Sequence, residues 1–295
     1  MTDFIISSES IMDLSPTYVN QLGVSIINSN YELNGKIFQD DFGQSLDMET
    51  FYKNMENGSS PSTSAINTEE YLEYFRKLLK KGYDIIHVCL SSGLSVQYTC
   101  LVQAVEILKE EFPDRTIHPV DSKMASAGVG LLVVKLVELK QVGKSYEEIC
   151  KWVDDNYLRV ISYTSNENLE YLARGGRISK ASANIGNLLR ICPLIEMDDT
   201  GHMEVTAKIR TKKKLVTTLL KRMEKNAIGQ RDYNDYVFIT HASNIEFANE
   251  IKNAVEESFP NTKGKVKISN FGPTIGTHIG PGAISLFYWG NKRLA

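Results

Sequence analysis

Asp84–Tyr98 reads DIIHVCLSSGLSVQY, and its first seven residues form an unbroken apolar run of the kind that parallel strands buried on both faces carry. The Ser/Gly loop Ser91–Ser95 follows, and then a helical pattern carrying Tyr98, Leu101, Val105 and Leu108. Strand, hydroxyl-bearing loop and helix make half of a βαβ unit, and the neighbouring sequence supplies more of the same. Upstream, Phe4–Ser7 and Val24–Asn28 read as strands and Ser8–Asp13 as a polar turn. Tyr71, Leu72, Phe75, Leu78 and Leu79 mark one face of a helix opening near Thr68. Downstream, Thr116–Val120 is a strand ending at Asp121-Ser122, and Met124–Leu139 is apolar nearly all round, which predicts a buried helix whose Gly128 and Gly130 allow close packing.

Local signals fill in the rest. Asn34-Gly35 within Tyr31–Phe38 predicts a tight hairpin, Asp47–Met55 a short helix, and the polar Glu56–Asn67 an irregular loop. Ser145 with Glu148 predicts a capping box opening the helix to Tyr157. From Leu158 onward the pattern changes. Arg159–Thr164, Cys192–Met197, Met203–Lys208, Tyr236–His241 and Lys265–Asn270 read as strands. Glu167–Ala173, a stretch from Arg177 to Leu189, Lys212–Asn226 and a segment capped by Ser243/Glu246 read as helices. The expected fold is therefore α/β, with two α/β domains spanning 1–160 and 161–295, a mainly parallel sheet in the first, and a ligand cleft between them.

Bulk properties narrow the function. A net charge of −3 over 295 residues argues against a general nucleic-acid binder, because neutralising phosphates needs a basic surface. No apolar run reaches the roughly 18 residues of a membrane span, and MTDFIISSES lacks a basic signal-peptide start, so a cytoplasmic protein without an integral membrane segment is expected. Cys89, Cys100, Cys150 and Cys192 form no C-x-x-C pair and sit in apolar patterns, which predicts buried thiols and no metal. Gly143-Lys144-Ser145 imitates the end of a phosphate-binding loop, but Glu138 stands where its first glycine belongs.

The chemistry-bearing residues lie in loops. GPTIGTHIGPG (Gly272–Gly282) combines four glycines and two prolines, which predicts a shaped loop that lets backbone approach a ligand and carries one reactive side chain, His278. Thr63 and Ser64 lie in the first polar loop and Ser95 in the second. Hydroxyl donors and an imidazole, with no cluster of Arg or Lys, suit a single carboxylate at the mouth of an apolar cleft. The same residues admit a hydrolase reading, with Ser95 as nucleophile, His278 as base and Asp121 as orienting acid, although no G-x-S-x-G elbow supports it. A lipid-sensing regulator is a third reading.

The chain resembles the DegV family, whose characterised members are the fatty-acid-binding subunits of bacterial fatty acid kinase. The resemblance is strongest in LEYLARGGRISKASANIGNLLRICPLIEMDDTG (Leu169–Gly201), KIRTKKKL (Lys208–Leu215) and GPTIGTHIGPGA (Gly272–Ala283), with weaker agreement at Thr63-Ser64, SSGLSVQY (Ser91–Tyr98) and PVDSKMASAGVG (Pro119–Gly130). It implies a non-catalytic carrier that buries a long-chain fatty acid and presents its carboxylate to a separate kinase subunit, which makes acyl phosphate with ATP. It implies a head-group site of Thr63, Ser64, Ser95, Gly276, Thr277 and His278, and kinase or phosphate contacts at Arg177 and Arg210. No cofactor is implied. The chain departs from the family at Ser7-Ser8-Glu9-Ser10 (commonly TDST), Thr63–Asn67 (TSQPS) and Leu94–Tyr98 (LSGTY).

Overall fold

The structure is a computed structural model that describes residues 3–179, 191–291 and 293. In chain order, the N-terminal elements are β1 (Phe4–Glu9), α1 (Pro16–Leu22), β2 (Ser25–Ile27), β3 (Asn30–Leu33), β4 (Lys36–Gln39), α2 (Met48–Glu56) and β5 (Ser62–Ser64). Then come α3 (Thr68–Leu79), β6 (Asp84–Cys89), α4 (Gln97–Glu111), β7 (Ile117–Asp121), α5 (Ala127–Gln141) and α6 (Tyr146–Asn156). The remainder is β8 (Val160–Ser165), α7 (Glu170–Arg174), β9 (Cys192–Met197), β10 (Met203–Ile209), α8 (Lys212–Asn226), β11 (Val237–His241), α9 (Ile245–Ser258), β12 (Val266–Asn270), α10 (Pro273–Ile279) and β13 (Ile284–Trp289).

Two main sheets organise the chain into two α/β domains. The first has the order β2-β1-β6-β7 and is parallel throughout, as the apolar run at Asp84 requires. The second has the order β10-β9-β8-β13-β11-β12; only β11 and β12 are parallel, so it is mixed. Helix α5 lies between them and touches strands of both. It is apolar nearly all round because it has no solvent face over most of its length. Its glycines serve the packing foreseen for them: a Cβ on Gly130 would stand 2.7 Å from Leu14 Cδ2 and 2.9 Å from the Met12 carbonyl oxygen.

Several expectations hold in detail. Asn34 and Gly35 have φ of 53° and 77°, the two left-handed residues of a tight hairpin between β3 and β4. The Ser145/Glu148 capping box forms, and so does an unforeseen one at Asn67/Glu70. Others are overturned. Ser8 and Glu9 belong to β1 rather than a turn, and Ser10–Met12 is a buried 3-10 turn. The polar Glu56–Asn67 stretch is not wholly irregular, since Ser62–Ser64 adds to β3 as a third strand of a small sheet, β4-β3-β5. Ser243 makes no cap with Glu246: its φ is 52°, and Asn244 precedes α9 without a side-chain cap. Of the four thiols, Cys89 and Cys192 are buried while Cys100 and Cys150 are half-buried. The helix expected to run to Leu189 falls largely outside the described residues. Among the described residues, no helix is long and apolar enough to cross a membrane.

The largest correction concerns Gly272–Gly282. Its first part is not a loop but α10, with Pro273 at the first helical position. Gly276 in the middle of so short a helix opposes it by propensity, so the support is tertiary. Asp13 Oδ1 accepts the Gly272 N–H at 2.8 Å, and Asp40 Oδ2 accepts the Thr274 N–H at 3.1 Å. At the other end Asn166 Nδ2 donates to the Ile279 carbonyl at 2.6 Å.

Candidate ligand-binding site

A cavity of about 870 Å³ opens between the two main sheets. Its rim is built by three segments that the fold brings together: β5, the loop from Ser91 to Val96, and α10. The loop is fixed from beneath and from across. Beneath it, the buried Glu9 carboxylate accepts the Leu90 N–H at 3.0 Å and the Tyr71 hydroxyl proton. Across it, Ser91 Oγ donates to the Gly201 carbonyl at 2.8 Å, and Gly93 passes so near that a Cβ there would stand 2.5 Å from the same oxygen. The turn between β9 and β10 thus pins a loop of the other sheet.

On this rim Thr63 Oγ1 and His278 Nε2 meet at 2.8 Å. The backbone of Gly175 covers the other side of the imidazole, where a Cβ would lie 2.5 Å from Nδ1. Burial first, and then the charges of Arg177 and Arg174, push the His278 pKa down from 6.5 to about 4. The ring is therefore neutral near pH 7 and serves as a hydrogen-bonding group. Ser95 lies on the same cavity, its Oγ accepting the Gln97 N–H at 3.2 Å.

The remaining residues singled out in the sequence divide. Ser64 and Thr277 line the cavity, but Thr277 Oγ1 already donates to the Pro273 carbonyl at 2.8 Å. Gly276 faces the opposite way, against α2, where a Cβ would stand 2.5 Å from the Tyr52 hydroxyl oxygen. Arg177 lines the cavity, half-buried, with its guanidinium pKa lowered by burial. Arg210 is exposed just beyond β10, away from the cavity-lining set. Asp121 is engaged elsewhere, 2.9 Å from Lys123 Nζ and accepting the Ser92 N–H at 3.1 Å. In the sequence no cluster of Arg or Lys stands beside the hydroxyls and the imidazole; the cavity lining includes both Arg174 and Arg177, and the pair supplies positive potential.

A family model described as "Uncharacterised protein, DegV family" matches residues 4–291. The chain belongs to the DegV family. A DegV domain-containing protein of Clostridium perfringens is 32% identical over 293 residues, covering 99% of both chains. Among solved DegV structures, a fatty acid binding protein from Bacillus subtilis is 25% identical with a TM-score of 0.81, covering 98% of this chain and 99% of that one. The Streptococcus pneumoniae fatty acid kinase B3 protein, solved with linoleic acid, is 21% identical with a TM-score of 0.83, at 98% and 99% coverage. A DegV protein of Eubacterium eligens was solved with heptadecanoic acid; it is 22% identical, with a TM-score of 0.83 at 97% and 99% coverage.

Sequence reasoning missed several features of this DegV site. Gly175 and Gly176 after the predicted helix Glu167–Ala173 look like an ordinary glycine stop, yet the missing side chain of Gly175 makes room for the imidazole. Arg174 was hidden because a cation beside a glycine stop has many ordinary explanations. The cavity also carries hydroxyls from Ser126, Ser162, Thr164 and Ser285. For Ser162 and Thr164 the one signal was serine and threonine alternating along β8, in VISYTS, where a buried strand calls for apolar residues.

Proposed function

We propose that this protein carries a long-chain fatty acid in the cavity between its sheets and presents the carboxylate to a separate fatty acid kinase subunit for phosphorylation to acyl phosphate. The supporting observation is the meeting of Thr63 with a neutral His278 at the rim of an 870 Å³ cavity that also holds Ser95, Arg174 and Arg177. The relatives solved with linoleic and heptadecanoic acid share this fold. Residues 1–160 supply Thr63, Ser64 and Ser95, and residues 161–295 supply His278 and the arginines.

In this mechanism the tail supplies affinity and the rim supplies orientation. Burying roughly 14 methylenes at about 0.8 kcal/mol each gives on the order of 11 kcal/mol before association costs. The hydroxyls of Thr63 and Ser95 donate to the carboxylate, and His278 orients Thr63. Arg174 and Arg177 offset the carboxylate charge and meet the approaching phosphates, with Arg210 as an outer contact. Phosphoryl transfer depends chiefly on such positioning and charge neutralisation, and the kinase subunit brings the ATP. The carrier itself needs no catalytic residue and acts in the cytoplasm.

A Ser95–His278 hydrolase is the weaker reading. His278 contacts Thr63, no carboxylate orients its ring among the described residues, and a pKa of about 4 makes it a poor base at pH 7. The carrier reading is tested by solvent extraction and native mass spectrometry of the purified protein. A co-purified or added long-chain acid bound at one per chain is expected; absence of both rejects it. Binding without stimulation of the organism's own kinase subunit would favour the lipid-sensing alternative.

A further inference from the structure

One wall of the cavity shares no element with Thr63, Ser95 or His278, and it is polar. Ser162 and Thr164 are two residues apart on β8, so both side chains leave the same face of the sheet. Ser285 on β13 stands opposite Thr164 in the antiparallel register, and the two hydroxyl oxygens are 2.6 Å apart. Ser126, just before α5, adds a fourth hydroxyl to the cavity, with its Oγ 3.4 Å from Thr240 Oγ1. Neighbouring protein covers most of Ser162, Thr164 and Ser285, and the 5%, 6% and 1% exposure they retain belongs to residues that line the cavity. Thr164 and Ser285 satisfy part of each other's bonding capacity. The Ser162 hydroxyl has no hydrogen-bond partner among the described residues.

A saturated hydrocarbon laid along this wall would dehydrate those hydroxyls and offer nothing in return, which is unfavourable for any buried polar group. We propose that the cavity takes a long-chain fatty acid bearing a hydroxyl group on its chain, received by Ser162 and the Thr164–Ser285 pair. This rests on the carrier reading and narrows its ligand class. A chain hydroxyl both donates and accepts, so it can complete Ser162 and the free positions of the pair together. Elsewhere the cavity offers Leu90, Leu94, Met124 and Phe287, which suit the unsubstituted parts of the chain.

The experiment uses the full chain stripped of lipid, with competition against a fluorescent fatty acid. The competitors are stearic acid and hydroxystearic acids with the hydroxyl near the carboxylate, at mid-chain or near the tail. One hydroxystearic acid is expected to bind at least as tightly as stearic acid, although its extra hydroxyl makes it the poorer ligand for any purely apolar tunnel. Ser162→Ala should weaken that acid by about tenfold and leave stearic acid unchanged or tighter. Thr164→Val combined with Ser285→Ala should do the same, with an unchanged thermal melt reporting intact folding. Stearic acid outcompeting every hydroxystearic acid, or Ser162→Ala shifting both classes alike, overturns the proposal while leaving the carrier reading in place. If no acid of either class binds, the carrier reading itself fails.

Discussion

Thr63 and His278 are 215 positions apart in the chain and meet side chain to side chain at 2.8 Å. The contact joins the three-stranded β4-β3-β5 sheet to α10, so each residue's orientation depends on the other's element. Thr63→Ala together with Ser95→Ala should reduce kinase-coupled turnover by at least about tenfold, since two donors to a charged group are lost. Fatty acid affinity should fall much less, because the tail supplies most of it. Equal losses in a turnover assay and a binding titration would contradict the division between tail and rim. Thr63→Ser, which keeps the hydroxyl, should restore most of the turnover.

Gly175 and Gly176 differ in what a side chain would do. Gly175→Ala places a Cβ 2.5 Å from His278 Nδ1 at an ordinary φ of −72°, so the imidazole must move. Ligand affinity should drop while the melting temperature changes little. At Gly176, φ is 71° with open space around it, so Gly176→Ala strains the backbone and should cost about 1 kcal/mol of stability without displacing the ring. Parallel melts and binding curves separate the two, and the reverse pattern would show that Gly175 has no part in placing His278.

Histidine side-chain NMR should show His278 still neutral at pH 5. Its folded pKa is about 4, whereas the unfolded chain takes the proton near 6.5. The unfolded state thus binds more protons between those values. Stability from this group is complete above pH 6.5 and is lost as pH falls toward 4. A resonance titrating near 6.5 would contradict the burial and arginine charges held to lower the pKa.

Asp40 works in the opposite sense over an overlapping window. Burial raises its pKa from 3.8 to about 6, against the opposing bonds from Thr274. The folded state therefore holds a proton that the unfolded state has released. Stability from Asp40 is complete below pH 3.8 and is lost as pH rises through 6. Asp40→Asn, which stays neutral and can still accept the Thr274 N–H, should gain on the native protein by on the order of 2–3 kcal/mol between pH 4 and pH 7. Urea titrations at both pH values read the difference, and a pH-independent gap would contradict the raised pKa.

Glu9→Ala should destabilise the chain by about 2–4 kcal/mol, because it orphans the buried Leu90 N–H and Tyr71 hydroxyl. Although burial raises its pKa, the nearby His87 ring and the bonds from Tyr71 and Leu90 outweigh that and hold it below the usual value. A variant melting like the native protein would mean that water replaces the carboxylate.

What the sequence disclosed depended on how far each cause reaches. The Asn34-Gly35 hairpin, the Ser145/Glu148 cap and the span of α8 are set by residues within a few positions of one another, and all were legible. Helix α10 was not, since its N-terminus is held by Asp13 and Asp40, more than two hundred residues upstream. Strand β5 exists because β3 offers an edge to Ser62–Ser64, which polar composition does not announce. Thr63, Ser95 and His278 were found as residue types in suggestive loops, whereas the Thr63–His278 pairing, the arginines beside it and the hydroxyl wall required the fold.

The order of the second sheet bears on how the protein is made. Strand β13 pairs with β8 on one side and β11 on the other, although it comes last in sequence among the described strands. A nascent chain that has reached only residue 283 holds β10-β9-β8 and β11-β12 as separate pieces, with raw edges on β8 and β11 where a partner belongs. The cavity wall that spans β8 and β13 cannot exist at that stage. A chaperone that shields those two edges would act before β13 is in place, and the cavity would be complete only once β13 has been inserted.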